Sequence, residues 1–199
     1  MKELVLATQN PDKYREIKDI LGDISGLSLN WAGAFSRIGE IEETGDTLEE
    51  NAAIKASYVS GMLEKPAIAD DTGLFVEYLK GRPGVRSARY AGENVSYEDN
   101  VKKLLRELKD VPRNKRSAEF KTAVCLAIPG GKKYFTEGAL KGIITLEPRG
   151  TKGFGYDPVF FIPKKSKTFA QMSKQEKNSI SHRYKAFKNV KDLIIREVA

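Results

Sequence analysis

The sequence predicts an α/β fold in which a long mixed β-sheet is flanked by helices. Short apolar runs alternate along the chain with segments whose apolar residues recur three or four positions apart, so strands and amphipathic helices are interleaved. A "PGG" turn joins two of the later runs as a hairpin. No internal repeat, low-complexity tract or Pro/Gly linker divides the 199 residues, which read as a single domain, 1–199.

Residues 2–8 form a short apolar run suited to a buried strand, and Tyr14, Ile17, Ile20 and Leu21 follow at helical spacing. Asn10 before Pro11 predicts an N-cap with proline at the first helical position, which places Lys13 in the first turn. "LSLNWA" reads as a second strand. Thr47 and Glu50 have capping-box spacing and open a helix through about Leu63. "PAIAD" and "LFVEYL" read as two strands flanking a polar turn, "DDTG". Ser96 and Asp99 begin another helix, with Val101, Leu104, Leu105 and Leu108 on one face. "EFKTAVCLAI" and "KKYFTEGAL" form the hairpin, and "GIITLEP" and "DPVFFIP" extend the sheet. From about Ser181, the spacing of Tyr184, Phe187, Val190, Ile194 and Val198 predicts a long terminal helix.

A chain of this length buries a sizeable core. With 34 Lys and Arg against 27 Asp and Glu, the net charge of +7 favours anionic partners such as nucleotides, nucleic acid or lipid head groups, without choosing between them. Cys125 is the only cysteine and lies in the apolar run "AVCLAI", which excludes an intramolecular disulfide and a Cys-based zinc site. No stretch approaches the roughly 20 apolar residues of a membrane span, and "MKELVLATQN" lacks the pattern of a secretory signal. The expectation is a soluble, cytoplasmic protein.

Five stretches carry candidate chemistry. In "LATQNPDK" a strand runs through a short turn into a helix N-terminus, where unpaired N–H groups and the positive end of the helix dipole join Thr8, Asn10 and Lys13. Ordinary helix capping and a phosphate cradle both fit, and no Walker loop occurs in the chain. In "IADDTGL" the adjacent carboxylates of Asp70 and Asp71 resist joint burial unless a cation neutralises them, and hard oxygen ligands suit Mg²⁺ or Mn²⁺; a solvated Asp-rich turn is the other reading. The acids of "EIEETGDTLEEN", Glu42, Glu43, Glu49 and Glu50, fall in a loop and the first turn of the next helix, where capping and surface charge explain them and where one could instead reach the metal; Lys55, about one turn beyond Glu50 and Asn51, suits either a surface lysine or an anion contact. "GFGYDPVF" combines small residues with Phe154 and Tyr156, which suits either a purine face or core packing. His182 is the sole histidine, so no multi-histidine metal site exists; with Arg183 it starts the terminal helix, where base-edge or phosphate contacts suit both.

Taken in order, "TQNPDK", "ENAAIKA", "ADDTGL", "GRPGVRSARYAG", "GFGYDP" and "SHRYKA" closely resemble the inosine/xanthosine triphosphate pyrophosphatase family over nearly the whole chain. The resemblance implies two lobes around a nucleotide-binding cleft, a homodimer, and Mg²⁺-dependent hydrolysis (Mn²⁺ as a substitute) of a deaminated purine nucleoside triphosphate to monophosphate and pyrophosphate. No membrane or nucleic-acid partner is expected. By motif, it assigns the turn Thr8, Gln9, Asn10, Pro11, Asp12 and Lys13 to the triphosphate, with Lys55 nearby and Thr72 touching substrate. Glu42 and Asp71 would hold the metal, and Asp71 would also orient or deprotonate the attacking water, with Asp70 as helper. Phe154, Gly155, Tyr156 and Asp157, together with Lys177, His182 and Arg183, would surround the base. Gln9 stands where many relatives have Gly, Thr72 where Ser is common, and Arg86 where an aromatic is frequent. The competing readings are a pyrophosphatase for other modified or pyrimidine triphosphates, and a non-catalytic nucleic-acid-binding protein, which the acidic cluster disfavours because carboxylates repel phosphate.

Overall fold

The computed structural model describes residues 2–198. Its eight strands are β1 Lys2–Leu6, β2 Leu27–Trp31, β3 Ala67–Val76, β4 Pro83–Gly84, β5 Ser117–Ala127, β6 Lys133–Ile144, β7 Phe160–Ile162 and β8 Lys167–Thr168; its α-helices are α1 Pro11–Leu21, α2 Leu48–Leu63, α3 Tyr97–Glu107, α4 Lys174–Asn178 and α5 His182–Glu197. The sheet runs β2-β1-β3-β5-β6-β7-β8, with β4 on β3. It is mixed, as the sequence predicts: β1 pairs in parallel with β2 and β3, whereas β3–β4, β6–β7 and β7–β8 are antiparallel. Among the described residues no helix is long and apolar enough to cross a membrane.

Two expectations are corrected. "AIADDTGLFV" is one continuous strand, β3, and not two strands around a turn. Asp70 and Asp71 remain inside it because side-chain cations meet their charges. Likewise β6 continues through "GALKGII", where Gly142 is required because a Cβ there would lie 2.7 Å from the Phe160 ring.

Contacts divide the chain into two compact units: Met1–Asp71, Thr122–Gly138 and His182–Ala199 form one, and Thr72–Lys121 and Ala139–Ser181 the other. In the first, side chains of successive strand residues alternate between two layers. Leu4 and Leu6 of β1, Ile68 of β3, and Val124 and Leu126 of β5 pack with Ile17, Ile20 and Leu21 of α1 and Phe187, Val190 and Ile194 of α5. Their neighbours Val5, Ala7, Ala67, Ala69, Cys125 and Ala127 pack with Ala52, Ala56, Val59 and Leu63 of α2. Small residues on both partners of this second layer let α2 lie close to the strands.

The second unit has its own core, built around Leu74, Leu104, Leu108, Ile144, Val159 and Phe169, with Phe120 edge-on to Phe160 at 4.5 Å between ring centroids. Arg116 is buried there, yet donates to the carbonyls of Val111 (2.9 Å), Thr145 (2.8 Å) and Leu108. Three acceptors satisfy much of the guanidinium, which tolerates burial on that condition.

Candidate functional site

The N-terminus of α1 forms as its residues dictate. Asn10 is extended (φ −79°, ψ 114°) and its Oδ1 accepts from the Asp12 N–H at 2.9 Å and the Lys13 N–H at 3.2 Å, with Pro11 opening the helix. Thr8 Oγ1 accepts from the Asn10 N–H at 3.2 Å. Gln9 and Pro11 are exposed, and Asp12 pairs with Arg15 at 3.3 Å. The turn is therefore a helix cap that takes up the Asn10, Asp12 and Lys13 N–H groups within itself and sets Lys13 in the first helical turn.

Lys13 extends from this turn to within 3.4 Å of Asp70 Oδ2. Burial pulls its ammonium below the ordinary lysine range, against the opposing pull of Asp70 and Asp71. The same Asp70 oxygen accepts from Arg183 Nε and Nη2, both at 3.1 Å, while Arg183 Nη1 reaches Glu16 Oε2 at 2.9 Å. Burial opposes the guanidinium charge, but Asp70 and Glu16 outweigh it and hold Arg183 protonated. His182, one residue earlier, is also buried.

Asp71 faces the α2 layer. Its Oδ1 lies 3.4 Å from Lys55 Nζ and its Oδ2 accepts from Asn51 Nδ2 at 3.3 Å. Asn51 in turn accepts the Gly45 N–H at 2.8 Å, tying the loop before α2 to the aspartate. Lys55 Nζ also contacts Glu43 Oε1 at 2.5 Å. Burial raises Asp71 above the usual carboxylate range, with Lys55 and Lys13 pulling the other way and Glu43 and Asp70 adding to the rise. Burial would lower Lys55, but Asp71, Glu43 and Asp70 together raise it.

Among the described residues, no group of three or more His, Cys, Asp or Glu is arranged as a ready metal site. Asp71 and Glu43 nevertheless converge on one cation, the Lys55 ammonium. Mg²⁺ typically takes one or two protein carboxylates and completes its shell with water and substrate phosphate, so this oxygen pair fits such an ion. Glu42, the residue assigned by motif, is exposed, and its neighbour Glu43 makes the contact.

In the second unit, Asp157 Oδ2 accepts from Lys177 Nζ at 2.6 Å and from the Phe154 N–H at 3.1 Å. Lys177 Nζ lies 4.8 Å from the centroid of the Phe154 ring. Gly153 has φ +76°, and a Cβ on it would meet Asp157 Oδ2 at 2.0 Å, so the loop closes only around glycine. Gly155 has φ +62° and open space where its Cβ would be. Tyr156 is buried and donates its hydroxyl to the Ser87 carbonyl at 2.9 Å. Thr72 is half-buried in β3.

The first unit thus brings together Thr8, Asn10, Lys13, Lys55, Asp70, Asp71 and Arg183, and the second brings together Phe154, Asp157 and Lys177. Sequence reasoning missed Glu16, Glu43 as the acid that reaches Lys55, and Asn51 as a partner of Asp71. Asn51 precedes Lys55 by one helical turn, and that spacing was the available signal.

The sequence matches the Ham1 family over residues 4–193. It is 50% identical over 194 residues to a dITP/XTP pyrophosphatase of Bacillus licheniformis, covering 98% of both chains. It is 46% identical over 190 residues to a dITP/XTP pyrophosphatase of Halalkalibacterium halodurans, covering 96% of this chain and 97% of the other. The solved Staphylococcus aureus Ham1 protein superposes with a TM-score of 0.86 at 39% identity, over 98% of this chain and all of that one. With a match across nearly its whole length and an α/β sheet of the same build, the chain belongs to the Ham1 family.

Proposed function

We propose that this protein hydrolyses deaminated purine nucleoside triphosphates, dITP and XTP among them, to the nucleoside monophosphate and pyrophosphate. The names of its relatives supply the substrate class. The observation that carries the reading is the pairing of Asp71, buried and raised above the ordinary carboxylate range, with Lys55 in the same unit as Lys13 and the N-terminus of α1.

In this reading Asp71 Oδ takes a proton from water as the water oxygen bonds to the α-phosphorus and the bond to the pyrophosphate oxygen breaks. Lys13 and Lys55 offset negative charge on the transferring and departing phosphates, and the positive end of the α1 dipole adds to them. Asp71 and Glu43 would hold Mg²⁺, which when bound polarises the phosphoryl oxygens and neutralises the leaving group. Asp70 and Arg183 hold the strand and α1 in place, so we assign Arg183 to Asp70 and not to the base. In the second unit, we assign Phe154, Gly155, Tyr156, Asp157 and Lys177 to a purine ring: the Lys177 ammonium is a donor, and Phe154 is a stacking face. A homodimer working in the cytoplasm completes the proposal; the homodimer rests on the family resemblance.

The test is to incubate the full chain with Mg²⁺ and a panel of nucleoside triphosphates, resolving pyrophosphate from orthophosphate. The expected result is pyrophosphate, with kcat/KM highest for dITP and XTP. Orthophosphate as the only product, or a preference for dATP or dCTP, overturns it.

A further inference from the structure

Trp31 is the sole tryptophan of the chain and ends β2. The parallel pairing of β1 with β2 sets Leu6 opposite Trp31, so the indole stands level with the exit of β1, where the turn into α1 begins. Its Nε1–H donates to the Thr8 carbonyl at 2.8 Å. Its ring stacks on Tyr14 of α1, with 5.3 Å between centroids and 24° between planes. Gly33 leaves room for it: a Cβ there would lie 2.6 Å from the indole Cε2 and Cζ2. From another side, Gln9 Nε2 donates to the Gly39 carbonyl at 2.7 Å.

We propose that Trp31 is a positioning residue for the anion-gripping turn, fixing through the Thr8 carbonyl the direction in which the turn offers the Gln9 N–H. The peptide between Thr8 and Gln9 is planar and trans, so its C=O and N–H point in opposite directions. Anchoring the Thr8 oxygen to the indole therefore aims the Gln9 N–H away from Trp31. The Asn10, Asp12 and Lys13 N–H groups are held by Thr8 Oγ1 and Asn10 Oδ1, which makes the orientation of the Gln9 peptide the adjustable part of the turn. The Gln9 side-chain amide is turned to Gly39, and that leaves the backbone to face a ligand. Stacking on Tyr14 carries the same restraint to the residue beside Lys13.

The proposal rests on the phosphate reading of this turn, and Trp31→Phe tests it by keeping an aromatic ring for Tyr14 while removing the donor. Calorimetric titration with inorganic pyrophosphate, with Mg²⁺ present, is expected to show affinity about three- to tenfold weaker in the variant, the loss of one hydrogen bond's worth of placement. KM for dITP is expected to rise by the same factor with kcat within about twofold, while inosine, which has no phosphate, binds both proteins alike. In the wild type, pyrophosphate is expected to shift the Trp31 emission.

Unchanged pyrophosphate affinity in a folded variant overturns the role of Trp31 and leaves the phosphate reading standing, as does equal weakening of inosine and pyrophosphate, which marks general loosening. A wild type that binds no pyrophosphate overturns both. Should Trp31→Phe fail to fold, Gly33→Ala displaces the indole without removing it; the same selective loss supports the proposal, and full pyrophosphate affinity overturns it.

Discussion

Arg183 presents Nε and Nη2 to a single oxygen of Asp70, each at 3.1 Å, with both side chains buried. Its third nitrogen takes Glu16, so α5 is tied to β3 and α1 through one guanidinium. Replacing Arg183 with Met leaves two carboxylates in a dry setting and is expected to cost about 3–5 kcal/mol of stability. Urea denaturation measures it. The double variant Arg183→Met, Asp70→Asn recovers part of the loss, because an amide is far cheaper to bury than an unmatched charge.

Asp71→Asn tests the base directly. The amide retains the shape of the carboxylate and the Lys55 ammonium retains Glu43, so the fold is expected to persist by circular dichroism and thermal unfolding. Removing the proton acceptor is expected to lower kcat by about 10²–10⁴-fold. Single-turnover measurement of pyrophosphate release checks it.

Gly138 in β6 is expected to reject any side chain. A Cβ there would sit 2.2 Å from the His182 carbonyl oxygen and 2.5 Å from the Ala186 nitrogen, and backbone cannot swing aside as a flexible side chain can. Gly138→Ala should destabilise by on the order of 3 kcal/mol as α5 is forced off the strand. Denaturant midpoints report the change.

Cys125 is fully buried, and burial pushes its thiol up to about 11. The folded state thus favours the neutral thiol, whereas the unfolded chain releases that proton near the ordinary thiol range. This contribution to stability is intact below that range and fades as pH climbs toward about 11. At pH 8 a thiol reagent such as DTNB is expected to leave the folded protein unmodified and to label it fully in denaturant. Replacing Cys125 with Ala removes the labelling and this part of the alkaline loss.

Local features were legible because local physics decides them. Asn10 with Pro11, Thr47 with Glu50, and Ser96 with Asp99 form the caps that their spacing predicts. The path of β3 was not legible: "DDTG" has the composition of a turn, and what keeps it extended comes from Lys13, Lys55 and Arg183 on three different helices. Asp70 and Arg183 are 113 positions apart, a distance over which no window of spacing operates. The choice between Glu42 and Glu43 turns on one residue of loop geometry, which composition does not encode. Motif order, by contrast, groups Thr8, Asn10, Lys13, Lys55 and Asp71, which the fold places in one unit.

Asp70 and Asp71 are consecutive, yet one meets α1 and α5 while the other meets α2. The two roles are separated only by the odd–even count along the strand. One residue inserted between Ala67 and Asp70 would put Ala69 before Arg183 and Asp70 before Lys55; one deleted would put Asp71 before Arg183 and Thr72 before Lys55. This stretch of chain can therefore drift in composition but not in length, and any lineage that lengthens the protein must do so elsewhere.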